Sequence, residues 1–288
     1  MNTITKLGAA SLVLVAFAVA PIAHAATSPG PDATTSFAIL SSTYTNPAIG
    51  TVLNGDLGYT TPPAVAPTVN GTTFAPPSSV YTQAGIDQGS ELSALNAQPC
   101  TFTFAPGAID LAIDTTHGPV GVYTAGVYCI SGAASVGSGT ISLSGAGTFI
   151  FRVNGALTTA ANTSVTTPNG GSPCNVWWTP TQASTLGATS SFSGTDIDAS
   201  GVTVGTTSTW NGRALAFGGT VTTTTDTFNV PTCTLSKAPV TPTPTPTVTS
   251  TTPSTPNTGA APSGLGLGVP LLVVLGGVTG IVAIRRRA

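Results

Sequence analysis

The chain has 288 residues, of which only 6% are charged, and its formal net charge at pH 7 is −2. All nine acidic residues fall between Ala26 and Ser236, where the only basic side chains are Arg152 and Arg213. Binding to nucleic acid or to an anionic membrane surface needs clustered lysine and arginine, so the composition excludes both kinds of partner for this part of the chain.

The chain begins with the three parts of a secretory signal. Lys6 is followed by an apolar run from Leu7 to Ala20 and by Ala23-His24-Ala25, which has the A-x-A form of a cleavage site. We therefore predict a signal peptide over residues 1–25 and export of the remainder. An uncleaved membrane anchor is the alternative, and the shortness of the apolar run argues against it.

The first exported elements are two strands, a loop and a helix. Phe37–Leu40 and Val52–Gly58 have strand and strand-turn patterns, and residues 60–79 are rich in Pro, Thr and Ala, as loops are. A helix is predicted over Val80–Ala97, capped by Ser79 and ended by Pro99, with Val80, Ala84, Leu92 and Leu95 on its packed side. Such a helix can cover one flank of a sheet and shield its edges.

From Cys100 onward, short apolar stretches alternate with glycines, which predicts short strands joined by tight corners. A repeat of 18 residues runs through the last of them, because Phe192, Trp210 and Phe228 are equally spaced and glycines recur between them. A short fixed period with inward bulky residues predicts a β-solenoid with one coil per repeat. Alternation along each strand predicts two outward rows of hydroxyls, with Thr189, Thr207 and Thr225 in one and Ser191, Thr209 and Thr227 in the other.

Four cysteines lie in the exported part, as expected in an oxidising compartment. Cys100, Cys129, Cys174 and Cys233 allow three pairings, of which we favour Cys100–Cys129 and Cys174–Cys233. Neither a C-x-x-C spacing nor a second histidine in the mature chain is present, so no metal site and no cofactor are predicted.

The composition changes after Ser236. Residues 237–258 form a stalk rich in Pro and Thr, which proline holds extended, and residues 259–288 contain an apolar stretch from Leu265 to Ile284 followed by three arginines. The stretch is long enough to span a bilayer, and the arginines place the C-terminus in the cytoplasm. The domain predicted over residues 26–236 would thus stand outside the cell on a stalk.

The residues just before the apolar stretch resemble the sorting signal that sortases recognise in Gram-positive surface proteins. That signal reads Leu-Pro-x-Thr-Gly, and the chain has Thr255, Pro256, Asn257, Thr258 and Gly259. Thr255 departs from the leucine of the signal. Two attachments therefore remain open: transfer to the cell wall after cleavage between Thr258 and Gly259, or a plain membrane anchor.

Catalytic patterns are weak. Glycosidases need two carboxylates at a set separation, yet Asp196 and Asp198 are the only pair predicted to share a strand face. Arg213 is expected to pair with an acid or with corner carbonyls, and His117 lies in a turn without the partners of a triad. We therefore predict that the protein is not an enzyme.

The ordered set of these motifs resembles the ice-binding-like (DUF3494) family over nearly all of residues 36–233. The tracts that carry it are Phe37–Leu40, Asn54–Gly58, Gly121–Cys129, Gly147–Val153, Leu157–Asn162, Asn175–Trp178, Thr185–Thr189 and Asn211–Ala216. The resemblance implies an all-β right-handed, discontinuous β-solenoid with one flanking α-helix and, in many members, binding to ice.

The resemblance also implies an ice-binding motif of Thr, Ala or Gly, any residue, and Thr or Asn, which Thr159-Ala-Ala-Asn162 matches. Alignment of this motif with the repeat adds Ala160 to the row of Thr189, Thr207 and Thr225, and adds Asn162 to the row of Ser191, Thr209 and Thr227. Asp226 interrupts this otherwise uncharged grid.

Three functions remain open from the sequence. The first is a monomeric, surface-anchored protein that adsorbs to ice, and that attaches to the membrane or cell wall through its C-terminus. The second is an adhesin or envelope protein that binds glycan or protein. The third and weakest is an enzyme that acts on polysaccharide. Stacked threonines also favour strand formation by themselves, without any ligand.

Overall fold

Short parallel strands wind into a β-solenoid, as the repeat predicts, and the structure shows that each coil has three sides. The computed structural model describes residues 25–30 and 32–233. All of them belong to a compact unit that ends at Lys237. Every strand pair is parallel, and paired strands belong to successive coils.

The strands form three faces, each one strand wide in every coil. Face A contains β7 (Ile109–Asp110), β10 (Ala134–Val136), β13 (Leu157–Thr159), β16 (Ser184–Leu186) and β18 (Gly201–Val204). Face B contains β2 (Val52–Asn54), β4 (Thr68–Val69), β8 (Val122–Tyr123), β11 (Thr140–Leu143), β14 (Ser164–Thr166) and β20 (Thr227–Asn229). Face C contains β3 (Asp56–Gly58), β5 (Thr73–Phe74), β6 (Phe102–Thr103), β9 (Gly126–Ile130), β12 (Phe149–Val153) and β15 (Val176–Pro180). Three longer strands turn corners and serve two or three faces, namely β1 (Phe37–Thr45), β17 (Ser191–Ile197) and β19 (Thr209–Thr222).

The first strands of the chain stack on its last ones. In β1, Ile39 pairs with Ala214 of β19, and in β2, Val52 pairs with Thr227 of β20. The solenoid is therefore discontinuous in sequence, and the N-terminal strands cover the edge that the final coil would otherwise expose.

The described residues contain one α-helix, α1 (Ser79–Asn96), which lies against face C, and one 3-10 turn, at Pro173–Asn175. The cap is Ser78, whose Oγ accepts the Tyr81 amide, so the prediction was one residue late at each end. The prediction of the packed side of the helix was wrong in part, because Val80 is exposed. The buried positions are Tyr81, Ala84, Gln88, Glu91 and Leu95. Gly85 lets the helix approach the ring of Phe217 so closely that a Cβ atom would overlap it.

Aromatic side chains fill the interior in a column along the axis. Rings of Tyr128, Phe151, Trp178, Phe192, Trp210 and Phe228 follow one another with centroids 4.2–5.3 Å apart. The predicted inward direction of Phe192, Trp210 and Phe228 is confirmed, since all three are buried and lie in register.

Both favoured disulfides are present. Cys100–Cys129 ties the segment after α1 to β9, and Cys174–Cys233 ties the 3-10 turn to the end of the last coil. Each bridge thus fastens a segment outside the strands to the coils.

Several predicted segments lie outside the described residues. These are all but the last residue of the signal peptide, the stalk, the apolar stretch, and the sorting-type residues Thr255–Gly259. Within residues 25–30 and 32–233, no helix is long and apolar enough to cross a membrane.

Candidate functional site

Two rows of small polar side chains run along the corner between faces A and B. The second row is confirmed in register, because Ser191 pairs with Thr209 and Thr209 with Thr227 at the start of the face B strands. Ser164 pairs with Ser191, and Thr140 with Ser164, so the row continues into two further coils. Sequence analysis missed these two residues because their coils do not keep the 18-residue period.

The first row lies on the turns that precede face B rather than on strands. Thr189, Thr207 and Thr225 have φ angles of 55°, 58° and 60°, a left-handed conformation that β-branched residues rarely adopt. Thr189 and Thr207 are exposed, and Thr225 is half-buried. Each such residue costs on the order of 1–3 kcal/mol, so the surrounding structure must hold it there.

Asn162 belongs to this first row, which corrects the predicted placement. Its φ is 60°, its amide donates to the Ala188 carbonyl at 2.9 Å, and the Thr189 hydroxyl donates to its side-chain oxygen at 2.6 Å. Ala160 is level with Gly187 instead of Thr189, since a Cβ on Gly187 would overlap the Ala160 backbone. The predicted alignment was wrong because the coil between Asn162 and Thr189 is longer than 18 residues, and the hydrogen-bond ladder sets the register.

The hydroxyls of the first row share one orientation. Thr207 and Thr225 each donate to the carbonyl of the residue before at 2.6 Å. The Thr189 hydroxyl lies 2.6 Å from the carbonyl of Ala188 as well, and its one hydrogen is shared between that oxygen and Asn162 Oδ1. This bond fixes χ1, so the methyl group and the free lone pairs of each threonine repeat from coil to coil. We call the surface made by Asn162, Thr189, Thr207, Thr225 and by Ser164, Ser191, Thr209, Thr227 the candidate face.

An asparagine ladder borders the candidate face on face B. Asn229 donates to Asn211 at 3.1 Å, Asn54 donates to Asn229 at 2.7 Å, and Asn70 donates to Asn54 at 2.6 Å. The 18-residue spacing of Asn211 and Asn229 was visible in the repeat. The other two could not be placed, because they come from the N-terminal strands that stack on the last coil.

Titratable groups do not assemble into a catalytic centre among the described residues. His117 contacts Asp114 through Nδ1 at 2.6 Å and the Val122 carbonyl through Nε2 at 3.1 Å, so both ring nitrogens are engaged within its own turn. Arg213 donates to the Thr35 carbonyl, the corner-carbonyl alternative of the prediction. Asp196 is fully buried, and burial raises its pKa well above the ordinary value. No group of three potential metal ligands occurs in the described part of the chain.

The sequence profile described as ice-binding-like matches residues 39–229, which is more than half of the chain. The chain belongs to the ice-binding-like family. No curated protein matches it in sequence.

Solved structures of similar fold include three from Antarctic sources. An ice-binding protein from the ascomycete Antarctomyces psychrotrophicus is 26% identical with a TM-score of 0.60, and the match covers 70% of this chain and 97% of that one. One from an Antarctic biological consortium is 25% identical with a TM-score of 0.62, and the match covers 74% of this chain and 96% of that one. One from an Antarctic bacterium of the Flavobacteriaceae is 27% identical with a TM-score of 0.60, covering 68% of this chain and 46% of that one.

Within this member of the ice-binding-like family, the expected four-residue motif has a different register from the predicted one. Strand pairing aligns Thr158 with Thr185 and Leu186 with Val204, so Thr159–Asn162 stacks on Leu186–Thr189 and then on Val204–Thr207. All three tetrads have Ala or Gly second and Thr or Asn fourth. The fourth residue is the left-handed one in every case.

Proposed function

We propose that this protein binds ice, and that the candidate face is the surface that adsorbs. Membership of the ice-binding-like family and similarity to solved structures described as ice-binding proteins support the function. The residues of the face support its location. The observation that carries the proposal is the pair of parallel rows whose side chains repeat in register over four coils.

The chemistry of the face suits a ligand that is itself water. Ice offers no charge to pair with, and the eight residues of the candidate face carry none. Asp226, the interruption that sequence suggested, points into the core and is fully buried. Hydroxyls and methyls at the strand spacing of roughly 4.8 Å can hold surface waters in a regular array that merges with a crystal.

Rigidity is the second requirement, because ordering a mobile surface on binding would cost free energy. The candidate face stands on stacked coils with a continuous aromatic interior and two disulfides. Its first row is fixed further by the hydroxyl-to-carbonyl bonds within each turn. The face is thus preorganised, and adsorption needs no conformational change.

The direct test uses purified residues 26–237 and follows the shape of a growing ice crystal. Faceting or pitting of the crystal is expected, together with a gap between melting and freezing temperatures. Round, unrestrained crystal growth would contradict ice binding. The adhesin function would then be tested with glycan and protein arrays.

We also propose that the domain is held at the cell surface as a monomer by the stalk and the C-terminal apolar segment. The order of stalk, Thr255–Gly259, apolar stretch and arginines supports this location. Full-length protein should fractionate with the envelope, and a chain ended before Pro239 should be released into the medium. Full-length protein found free in the medium with its C-terminus intact would overturn this part of the proposal.

A further inference from the structure

Beneath the two rows of the candidate face lies a set of polar residues whose side chains point inward. Between each pair of outward residues in one coil stands one buried side chain, and these four residues are Thr163, Ser190, Ser208 and Asp226. Each is at most 4% exposed. We call them the buried ladder.

The buried ladder is a chain of hydrogen bonds that crosses from coil to coil. Ser190 Oγ accepts the Thr163 amide at 3.3 Å, and Ser208 Oγ accepts the Ser190 amide at 3.2 Å. Asp226 Oδ1 accepts the Ser208 amide at 2.9 Å. Side-chain oxygens thus take up amides that the tight turns leave without a strand partner.

Asp226 closes the ladder and serves two turns at once. Its second oxygen, Oδ2, accepts the Thr224 amide within its own turn at 2.6 Å, while Oδ1 reaches the turn of the preceding coil. Its own amide donates to Thr51 Oγ1 at 3.4 Å, which links the ladder to the N-terminal strands. Two amides accepted by one buried carboxylate are strong, charge-assisted bonds.

We propose that the buried ladder consists of positioning residues for ice binding, which hold the outward threonines in their left-handed turns and keep the two rows in register. The inference rests on the proposed function of the candidate face. Its geometric basis is that every ladder residue lies between two face residues along the chain, as Ser208 does between Thr207 and Thr209. The oxygens of Ser190, Ser208 and Asp226 each accept an amide of the adjacent coil, so removing one of them takes from that neighbouring turn a bond that offsets its unfavourable backbone conformation.

The first test compares Ser208→Ala with Ser208→Thr in residues 26–237. Thr163 shows that a threonine fits the ladder, so Ser208→Thr keeps the acceptor, whereas Ser208→Ala removes it. Thermal hysteresis near 0 °C should fall severalfold in Ser208→Ala and return to at least half of the wild-type value in Ser208→Thr. Ser190→Ala and Ser190→Thr form a second pair, which keeps the test available if one alanine variant does not fold.

Circular dichroism at the temperature of the ice assay separates positioning from folding. A ladder with a structural role alone would lower the melting temperature and leave hysteresis near 0 °C unchanged in a fully folded protein, and that result would overturn the inference. Absence of hysteresis in the wild type would instead overturn the proposed function.

A second test uses pH. Burial raises the pKa of Asp226 to about 6, against the lowering effect of the amides of Thr224 and Ser208. The titratable group that faces Asp226 is the Tyr44 phenol of β1, and burial raises the pKa of this phenol to about 12. Asn46, Thr51 and Ser208 on the neighbouring segments are uncharged. Acidification from pH 8 to pH 5 therefore protonates Asp226 and removes one of its acceptor positions.

The sign of the pH effect distinguishes positioning from stability. Because the pKa of Asp226 is higher in the folded state than in the unfolded chain, its protonation stabilises the fold as the pH falls from about 6 to about 4. The positioning role predicts the opposite trend for ice activity, a severalfold loss of hysteresis between pH 8 and pH 5. Asp226→Asn should have low hysteresis that no longer changes over this range. A wild-type protein with equal hysteresis at both pH values would contradict the role of Asp226.

Discussion

The hydroxyl of Thr189 donates a hydrogen bond of 2.6 Å to the side-chain oxygen of Asn162, although the two residues belong to different coils and are 27 positions apart. Both residues have left-handed backbones, and both end a tetrad with Ala or Gly at its second position. This contact joins the first row across two coils of unequal length, in the register that strand pairing sets.

Trp210→Ala should unfold the coil stack rather than act on the face directly. The ring is buried, stacks on Phe228 at 5.2 Å, and its Nε1 donates to the Gly194 carbonyl at 2.9 Å. Its removal should lower the free energy of unfolding by about 3–5 kcal/mol. Urea denaturation measures the loss, and the outward neighbour Thr209→Ala is the control, with an expected change within about 0.5 kcal/mol. Equal effects of the two substitutions would show that Trp210 is not part of the core.

The disulfides should be complete and unequal in their effects. The intact mass of the non-reduced domain should be lower by four thiol hydrogens, and alkylation should find no free cysteine in the native protein. Replacing Cys174 and Cys233 by serine should lower the free energy of unfolding by about 2–4 kcal/mol. The loss should exceed that from replacing Cys100 and Cys129, because Cys174–Cys233 spans 59 residues and Cys100–Cys129 spans 29. A free thiol in the native domain would contradict the pairing.

Stability should fall as the pH rises from about 4 to about 8, the reverse of ordinary acid denaturation. Burial raises the pKa of Glu91 to about 8, helped by the nearby charge of Asp32, and its Oε2 has no hydrogen-bond partner among the described residues. The folded state therefore binds more protons than the unfolded chain between pH 4.5 and pH 8, and the unfolding free energy should decrease by on the order of 2–4 kcal/mol over this range.

Glu91→Gln tests the assignment of that pH dependence. The amide oxygen can still accept from Thr34, as the carboxyl does at 3.0 Å, so the helix should remain docked. Unfolding free energies from urea titrations at several pH values should then vary much less between pH 5 and pH 8. A variant that keeps the full wild-type pH dependence would place its origin in other buried acids such as Asp198.

Much of this architecture could be predicted from sequence, for identifiable physical reasons. Phe192, Trp210 and Phe228 indicate their register because large apolar side chains at a fixed period must share one interior. Ser79 and Pro99 bounded the helix to within a residue, since capping and proline effects are local. Its packed side was harder, because the buried set includes polar Gln88 and Glu91, whose bonds to Phe217 and Thr34 are long-range.

The candidate site was only half predictable. The row of Ser191, Thr209 and Thr227 follows from strand alternation, and pairing confirms it. Alternation fails one turn earlier, since Thr189 and Thr207 are left-handed, and it gave no reason to place Asn162 beside Thr189. Asp226 was misplaced on the surface because its role as an acceptor for amides of two coils depends on stacking that the sequence does not display.

The most direct measurement is the thermal hysteresis of Thr207→Tyr beside that of Thr203→Tyr. Both residues are exposed in the same coil, Thr207 on the candidate face and Thr203 on face A. Neither substitution removes core packing, and tyrosine is no more strained than threonine at the left-handed position. Thr207→Tyr should lose most of the hysteresis with an unchanged melting temperature, because the ring stands off a flat surface, while Thr203→Tyr should keep it. Full activity in a folded Thr207→Tyr protein, with loss in Thr203→Tyr, would contradict the candidate face and move ice binding to face A.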